Sequence, residues 1–228
     1  MDTHAGLLQR INDYHAYQVQ QLENHPEYGL NGDIRISTLT KILSAMTGYQ
    51  LALIHELFAL RDRGWWDHFF GDRVDQHDIE LRTSAYNQVC LLGFFQGVFM
   101  SLESSFRSIS VTIDPDANNS GQGEFCNIYM FVFSRLNLRQ YIPLFDILRL
   151  LRNTVHNNGL FLPANRRDRT ITFDGIDYDF TVDELAPYLN QVDNSNLYYF
   201  LDQILICLKE LFSDPTILAF PQIRERVR

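Results

Sequence analysis

One pattern limits what this chain can fold into: apolar residues recur three and four positions apart along most of its length. A helix brings such positions onto one face at about 100° per residue, and that face must then be buried. Leu91, Phe95, Val98, Phe99, Leu102, Phe106 and Ile109 form the longest such series, predicting a helix from Ser84 to about Ile109. Phe125 to Leu136 reads as a short, very apolar helix, Arg139 to Asn157 as a third, and Ser195 to Phe212 as a fourth, stopped by Asp214-Pro215. Upstream, Ala5 to Asn24 predicts a first helix, and Ser37 is the expected cap of a second that runs to Leu60, with Gly48 as a point of interruption. Only Thr170 to Phe180 alternates with a period of two, on either side of Asp174-Gly175, the dipeptide of a type I′ hairpin turn. Thr181 and Glu184 have the spacing of a capping box for a short helix ending near Tyr188. The expected fold is an all-α helical bundle with one β-hairpin inserted near residues 170–180.

A chain of 228 residues, 46% apolar and 13% aromatic, has enough material for a proper core and is globular rather than disordered. Its most charged connection lies between Gly71 and Thr83. A division near residue 80 therefore gives an N-terminal helical extension (1–80) packed on a C-terminal bundle (81–228). The extension makes too thin a core to stand as an independent domain. The net charge of -9 argues against indiscriminate binding to nucleic acid or anionic membrane. Neither a leader segment nor an apolar run of bilayer length stands out, so no membrane partner is expected. Cys90, Cys126 and Cys207 are odd in number, far apart and set in apolar helical patterns. They read as reduced core thiols of a cytoplasmic protein. Trp65 to Phe70, bounded by Gly64 and Gly71, reads as a hydrophobic plug joining two helices, with a base-stacking platform as the sharper alternative.

Phosphate loops, hydrolase elbows and zincin spacings are absent, and the histidines form no metal pair on one helix face, so no cofactor or metal is expected. The unusual stretch is Leu151 to Gly159. Leu144, Ile147, Leu148, Leu151 and Val155 make the core stripe of this helix, while Arg149, Arg152, Asn153 and His156 fall on a second stripe beside it. Asn157, Asn158 and Gly159 supply the stop. A histidine can take a proton from a ribose 2′-hydroxyl or give one to a leaving oxygen. An adjacent arginine can grip the phosphate and offset charge in the transition state, and Asn153 can orient either group. These residue types at i, i+1 and i+4 suffice for metal-free cleavage of RNA by internal transesterification. Between Arg135 and Arg169 there are seven arginines against two acids, a local excess of five positive charges that points to RNA as partner. The plainer alternatives are arginine stems covering a helix, a buried Glu103–Arg152 structural pair, and His156 serving as a helix C-cap.

The run Leu148-Arg149-Leu150-Leu151-Arg152-Asn153-Thr154-Val155-His156-Asn157-Asn158-Gly159 resembles the motif of the HEPN superfamily, found in prokaryotic toxin, antiphage and CRISPR-associated nucleases. That motif is an arginine, usually followed by a polar residue, then a histidine after four to six intervening positions. Arg152 has the polar follower Asn153 but only three residues before His156; Arg149 has six, but Leu150 follows it. The resemblance covers about Ser84 to Ser213 and implies a helical bundle, a homodimer whose two motifs meet across the interface, and RNase activity in many but not all members. With the residue chemistry above, the expected catalytic residues are His156, Arg152 and Asn153, and Arg149, Arg139, Asn157 and Glu103 are expected to contact substrate. A non-catalytic RNA- or protein-binding scaffold, with an antitoxin or regulatory protein as partner, is the alternative the resemblance also allows.

Overall fold

A computed structural model describes residues 3–30, 32–117, 124–155, 157, 159–186 and 195–225. The chain folds as an all-α bundle: α1 (Thr3–Asn24), the short α2 (Glu27–Leu30), α3 (Ile34–His55), α4 (Arg63–Phe70), α5 (Gln76–Ile113), α6 (Phe125–Arg135), α7 (Ile142–Val155), α8 (Ser195–Ser213) and a last turn, α9 (Pro215–Leu218). Among the described residues the only sheet is a two-stranded antiparallel hairpin, β1 (Arg169–Phe173) and β2 (Ile176–Phe180), inserted before α8. Asp174 and Gly175 carry φ of 51° and 74°, the paired positive values that a type I′ turn requires.

Several boundaries differ from those the sequence suggested, each for a local reason. The second core helix begins at Ile34 rather than at Ser37, because the Asp33 carboxylate accepts the Arg35 amide and caps it. Its run passes Gly48 without a break and ends in a π-helical turn at Glu56–Leu60. The longest helix likewise starts at Gln76 instead of Ser84, capped by Asp75, whose carboxylate accepts from the Asp78 amide. Residue 80 therefore lies inside α5. The Arg139 segment opens as a 3-10 turn, Arg139–Tyr141, and becomes α-helical at Ile142; Pro143 sits in the first turn, where its missing N–H costs nothing. No helix forms from Thr181 to Ala186. Those residues fold back on the end of α7, where Phe161 donates its amide to the Glu184 carbonyl and Ala186 to that of Gly159. Tyr188 lies outside the described residues. Asp214 closes α8 and also caps α9, accepting from the Thr216 amide.

The core is continuous across both halves of the chain: Leu7 and Tyr14 of α1 and Ile42 and Met46 of α3 belong to the same buried cluster as α5 to α8. Its densest part is aromatic. Phe106 of α5, Phe133 of α6 and Phe145 of α7 lie with ring centroids 4.7 to 5.1 Å apart, all of them at most 1% exposed. Such ring pairs prefer tilted and edge-on contacts, which fixes the relative rotation of the three helices. α5 is long and apolar enough to cross a membrane, but half of its most apolar stretch is buried here against its neighbours. Trp66 is buried with Leu60, Val74 and Ile79, and its indole N–H donates to the Leu60 carbonyl, so α4 is a hydrophobic plug at a corner. Cys207 is fully buried, whereas Cys90 and Cys126 are half-buried; all three thiols are free.

The hairpin is held against α7 and α8. In its register Arg169 faces Phe180, Ile171 faces Tyr178, and Phe173 faces Ile176. Alternation puts Ile171, Phe173, Tyr178 and Phe180 on the core side, with Arg169 at the end of that same face. Tyr178 packs 5.5 Å from Phe200, and Phe180 packs 5.4 Å from Phe161. This packing places the first residue of β1 beside the C-terminal end of α7.

Candidate functional site at the end of α7

α7 buries Leu144, Ile147, Leu148, Leu151 and Thr154 and turns Arg149, Arg152 and Asn153 outward. Its end is shaped by Gly159, at φ 89°, whose amide returns to the Thr154 carbonyl at 2.8 Å. Asn157 covers another end carbonyl, donating its side-chain amide to Asn153 O at 3.2 Å. Val155 is the last helical residue. His156, the expected general acid or base, and Asn158 lie outside the described residues.

The two arginines are in different circumstances. Arg149 is tied down: its Nη2 donates to Asp146 Oδ1 (3.2 Å) and its Nε to the Tyr129 hydroxyl (3.4 Å), while that hydroxyl donates to the same Asp146 oxygen at 2.5 Å. Burial would lower the Arg149 pKa, but Tyr129 and Asp146 outweigh it and the net shift is upward. Burial first and Asp146 second raise the Tyr129 phenol against the opposing pull of Arg149, so it stays a neutral donor near pH 7.

Arg152 has no carboxylate of its own among the described residues. Its Nη1 reaches Asn153 Oδ1 at 3.3 Å and its guanidinium lies 5.7 Å from the Phe99 ring centroid. The Nε is buried and has no acceptor among the described residues. The alternative of a Glu103–Arg152 structural pair is not what forms. Glu103 accepts from Nε and Nη2 of Arg107, one turn along its own helix, at 2.9 and 2.6 Å.

Two clefts meet at this helix end. One, of about 340 Å³, lies between α5, the start of α6 and α7, and is lined by Phe99, Glu103, Glu124, Cys126, Arg149 and Arg152, among others. The other, of about 530 Å³, lies on the hairpin side. Arg149 and Asn153 line both and form the ridge between them. Arg149, Arg152, Asn153 and Asn157 thus come together, with Glu103 at the edge of the smaller cleft. Arg139 does not join them. It is exposed at the opposite end of α7, thirteen positions from Arg152, or about 20 Å along a helix axis.

The smaller cleft holds Arg152, whose buried Nε has no acceptor among the described residues, backed by the Phe99 ring. Such an arrangement accepts an anion whose size and planar oxygens match a guanidinium fork. Tyr129, Asp146 and Phe99 were not among the sequence candidates. Asp146 was legible as an i, i+3 partner of Arg149, but Tyr129 and Phe99 arrive from other helices. Among the described residues no group of three or more His, Cys, Asp or Glu side chains gathers. Comparison of the chain with protein-family models, with curated proteins and with solved structures finds no match.

Proposed function

We propose that the end of α7 binds an RNA phosphate and that the chain is a HEPN-like, metal-independent endoribonuclease. The observation that carries this is Arg152, a half-buried guanidinium in a cleft with a buried, unsatisfied Nε and no carboxylate partner among the described residues. Burying a donor without an acceptor costs about 1–3 kcal/mol, a cost that a bound phosphate would remove. Arg152 is therefore assigned to the phosphate. Arg149, already satisfied by Asp146 and Tyr129, is assigned to orienting the ridge. In the reaction the ribose 2′-oxygen attacks phosphorus and its proton passes to His156. The P–O5′ bond breaks, the 5′-oxygen regains a proton, and a 2′,3′-cyclic phosphate and a 5′-hydroxyl end result.

A second reading, a non-catalytic scaffold, is favoured by one detail. Arg149 is the arginine whose spacing to His156 matches the HEPN motif, and it is engaged internally. Incubation of the purified protein with mixed cellular RNA, with and without chelator, separates the two. Cleavage is expected to survive chelation and to fall by about 10²–10⁴-fold in His156→Ala, the range of general acid–base catalysis. Intact RNA under both conditions selects the scaffold. Cleavage by His156→Ala at the wild-type rate rejects the mechanism. The resemblance adds a two-fold dimer about the α7 end, which light scattering at high micromolar concentration tests; a monomer there rejects it.

A further inference from the structure

The larger cleft, on the hairpin side of the ridge, has a lining of unusual composition. Its floor is apolar, made by Leu150, Phe161, Leu162 and Pro163, and among the described residues no acid lines it. Three asparagines stand around that floor, and each uses one half of its amide inside the protein. Asn153 accepts from Arg152, Asn157 donates to the Asn153 carbonyl, and Asn165 accepts from the Arg167 amide at 3.4 Å. The remaining halves, two NH₂ groups and one carbonyl oxygen, are left to a ligand. Arg149 closes one side, and Arg169, which has no ion pair among the described residues, stands on another. A flat apolar surface rimmed by mixed amide donors and acceptors suits a planar heterocycle with polar edges. Cations at its margin suit what is attached to that heterocycle.

Resting on the phosphate assignment above, we propose that this cleft receives the base and ribose of one unpaired nucleotide of the RNA, its phosphate crossing the ridge to Arg152 and the next phosphate reached by Arg169. A volume of about 530 Å³ lies within the roughly 300–1,000 Å³ of small-ligand sites. It admits a splayed-out base but not one stacked in a duplex, so the site selects single-stranded RNA. The amides read the base edge, and the arginines read only charge.

The test is fluorescence anisotropy with a short labelled 2′-fluoro RNA, which cannot be cut by internal transesterification, used as a single strand and as a blunt duplex. The single strand is expected to bind at least about tenfold more tightly than the duplex, a difference of roughly 1.4 kcal/mol. Asn165→Leu and Arg169→Gln, both at exposed positions, are expected to weaken single-strand binding by several-fold to about tenfold with unchanged melting temperatures. Arg169→Gln should also reduce the slope of log K against log salt by about 0.7, the value for one phosphate contact on a single strand. Asn165→Asp, which keeps the shape but adds a repelling charge, should weaken binding further. If both exposed variants bind like wild type while Arg152→Gln binds poorly, the nucleoside site is overturned and the phosphate assignment stands. Equal affinity for strand and duplex overturns it as well. No binding of either RNA by the wild-type protein overturns both.

Discussion

Replacing Arg152 by Gln separates a functional arginine from a structural one, because the two roles predict opposite results. Within the fold Arg152 has little to lose. Among the described residues it makes one hydrogen bond, to its neighbour Asn153, and a cation–π contact with Phe99 at 5.7 Å. That contact is worth about 0.5–1 kcal/mol at a partly exposed site. Against it stands the buried Nε without an acceptor, a penalty of about 1–3 kcal/mol that the substitution relieves. Glu103 keeps its Arg107 partner, so no carboxylate is stranded. The net change in stability is expected to lie within about 1 kcal/mol, which for a chain of this size shifts the melting temperature by no more than about 2–4 °C. Binding should behave differently. A charge-assisted hydrogen bond to a phosphate is worth about 1.5–3 kcal/mol, so affinity for single-stranded RNA should fall about 10- to 100-fold. The paired measurements are differential scanning calorimetry and anisotropy titration of the same preparations. Melting lowered by more than about 8 °C with undiminished RNA affinity would refute the reasoning, because Arg152 would then be a structural residue.

Two further outcomes follow from the ion pairs that tie α3 to the C-terminal segment. Arg35 and Asp33 are both fully buried, joined at 2.7 Å, and Arg35 also donates to the carbonyls of Ile217 and Phe220, tying the start of α3 to the C-terminal segment. Arg35→Met strands Asp33 and is expected to cost about 3–5 kcal/mol in guanidinium denaturation; a loss below about 1 kcal/mol contradicts the clamp. Glu225 accepts from Lys41, Ser104 and Ser37, and its pKa is lowered, chiefly by the Lys41 hydrogen bond. A folded pKa below the unfolded value of about 4.3 means that its stabilisation is present above that pH and is lost as the pH falls through the folded value. The stability gap between wild type and Glu225→Gln should therefore close on acidification below about pH 4, with a small amplitude because the pair is partly exposed. A gap of constant size across that range rejects the linkage.

What could be read in advance divides along the range of the interactions involved. The four core helices and the hairpin were legible because their signals are local: one apolar face per helix, and Asp174-Gly175 where two positive φ values are needed. Ser37 and Ser84 misled as caps because a serine before an apolar run is a good local signal. The aspartates at positions 33 and 75, farther upstream, were already in place, and Ser37 instead donates to Glu225 from the far end of the chain. Thr181 and Glu184 had capping-box spacing, but Asp183, Glu184 and Ala186 pair their backbone with Gly159 and Phe161, partners more than twenty positions away that no local pattern announces.

The candidate site shows the same division, with one consequence for its chemistry. Arg149 has Asp146 three residues behind it on the same helix, and Glu103 has Arg107 four residues ahead; both pairs form. Arg152 has no acid three or four positions away on either side: Leu148 and Arg149 precede it, Val155 and His156 follow. The acid it faces across the cleft, Glu103, is bound to its own neighbour. An arginine denied a partner both along its helix and across it keeps its charge available, and burial of its Nε keeps that charge partly screened from water. In such surroundings an anion competes with less solvent and meets a stronger field than at an exposed arginine such as Arg139. The unmatched charge at Arg152, more than the spacing of any motif, is therefore what the phosphate proposal for the end of α7 rests on.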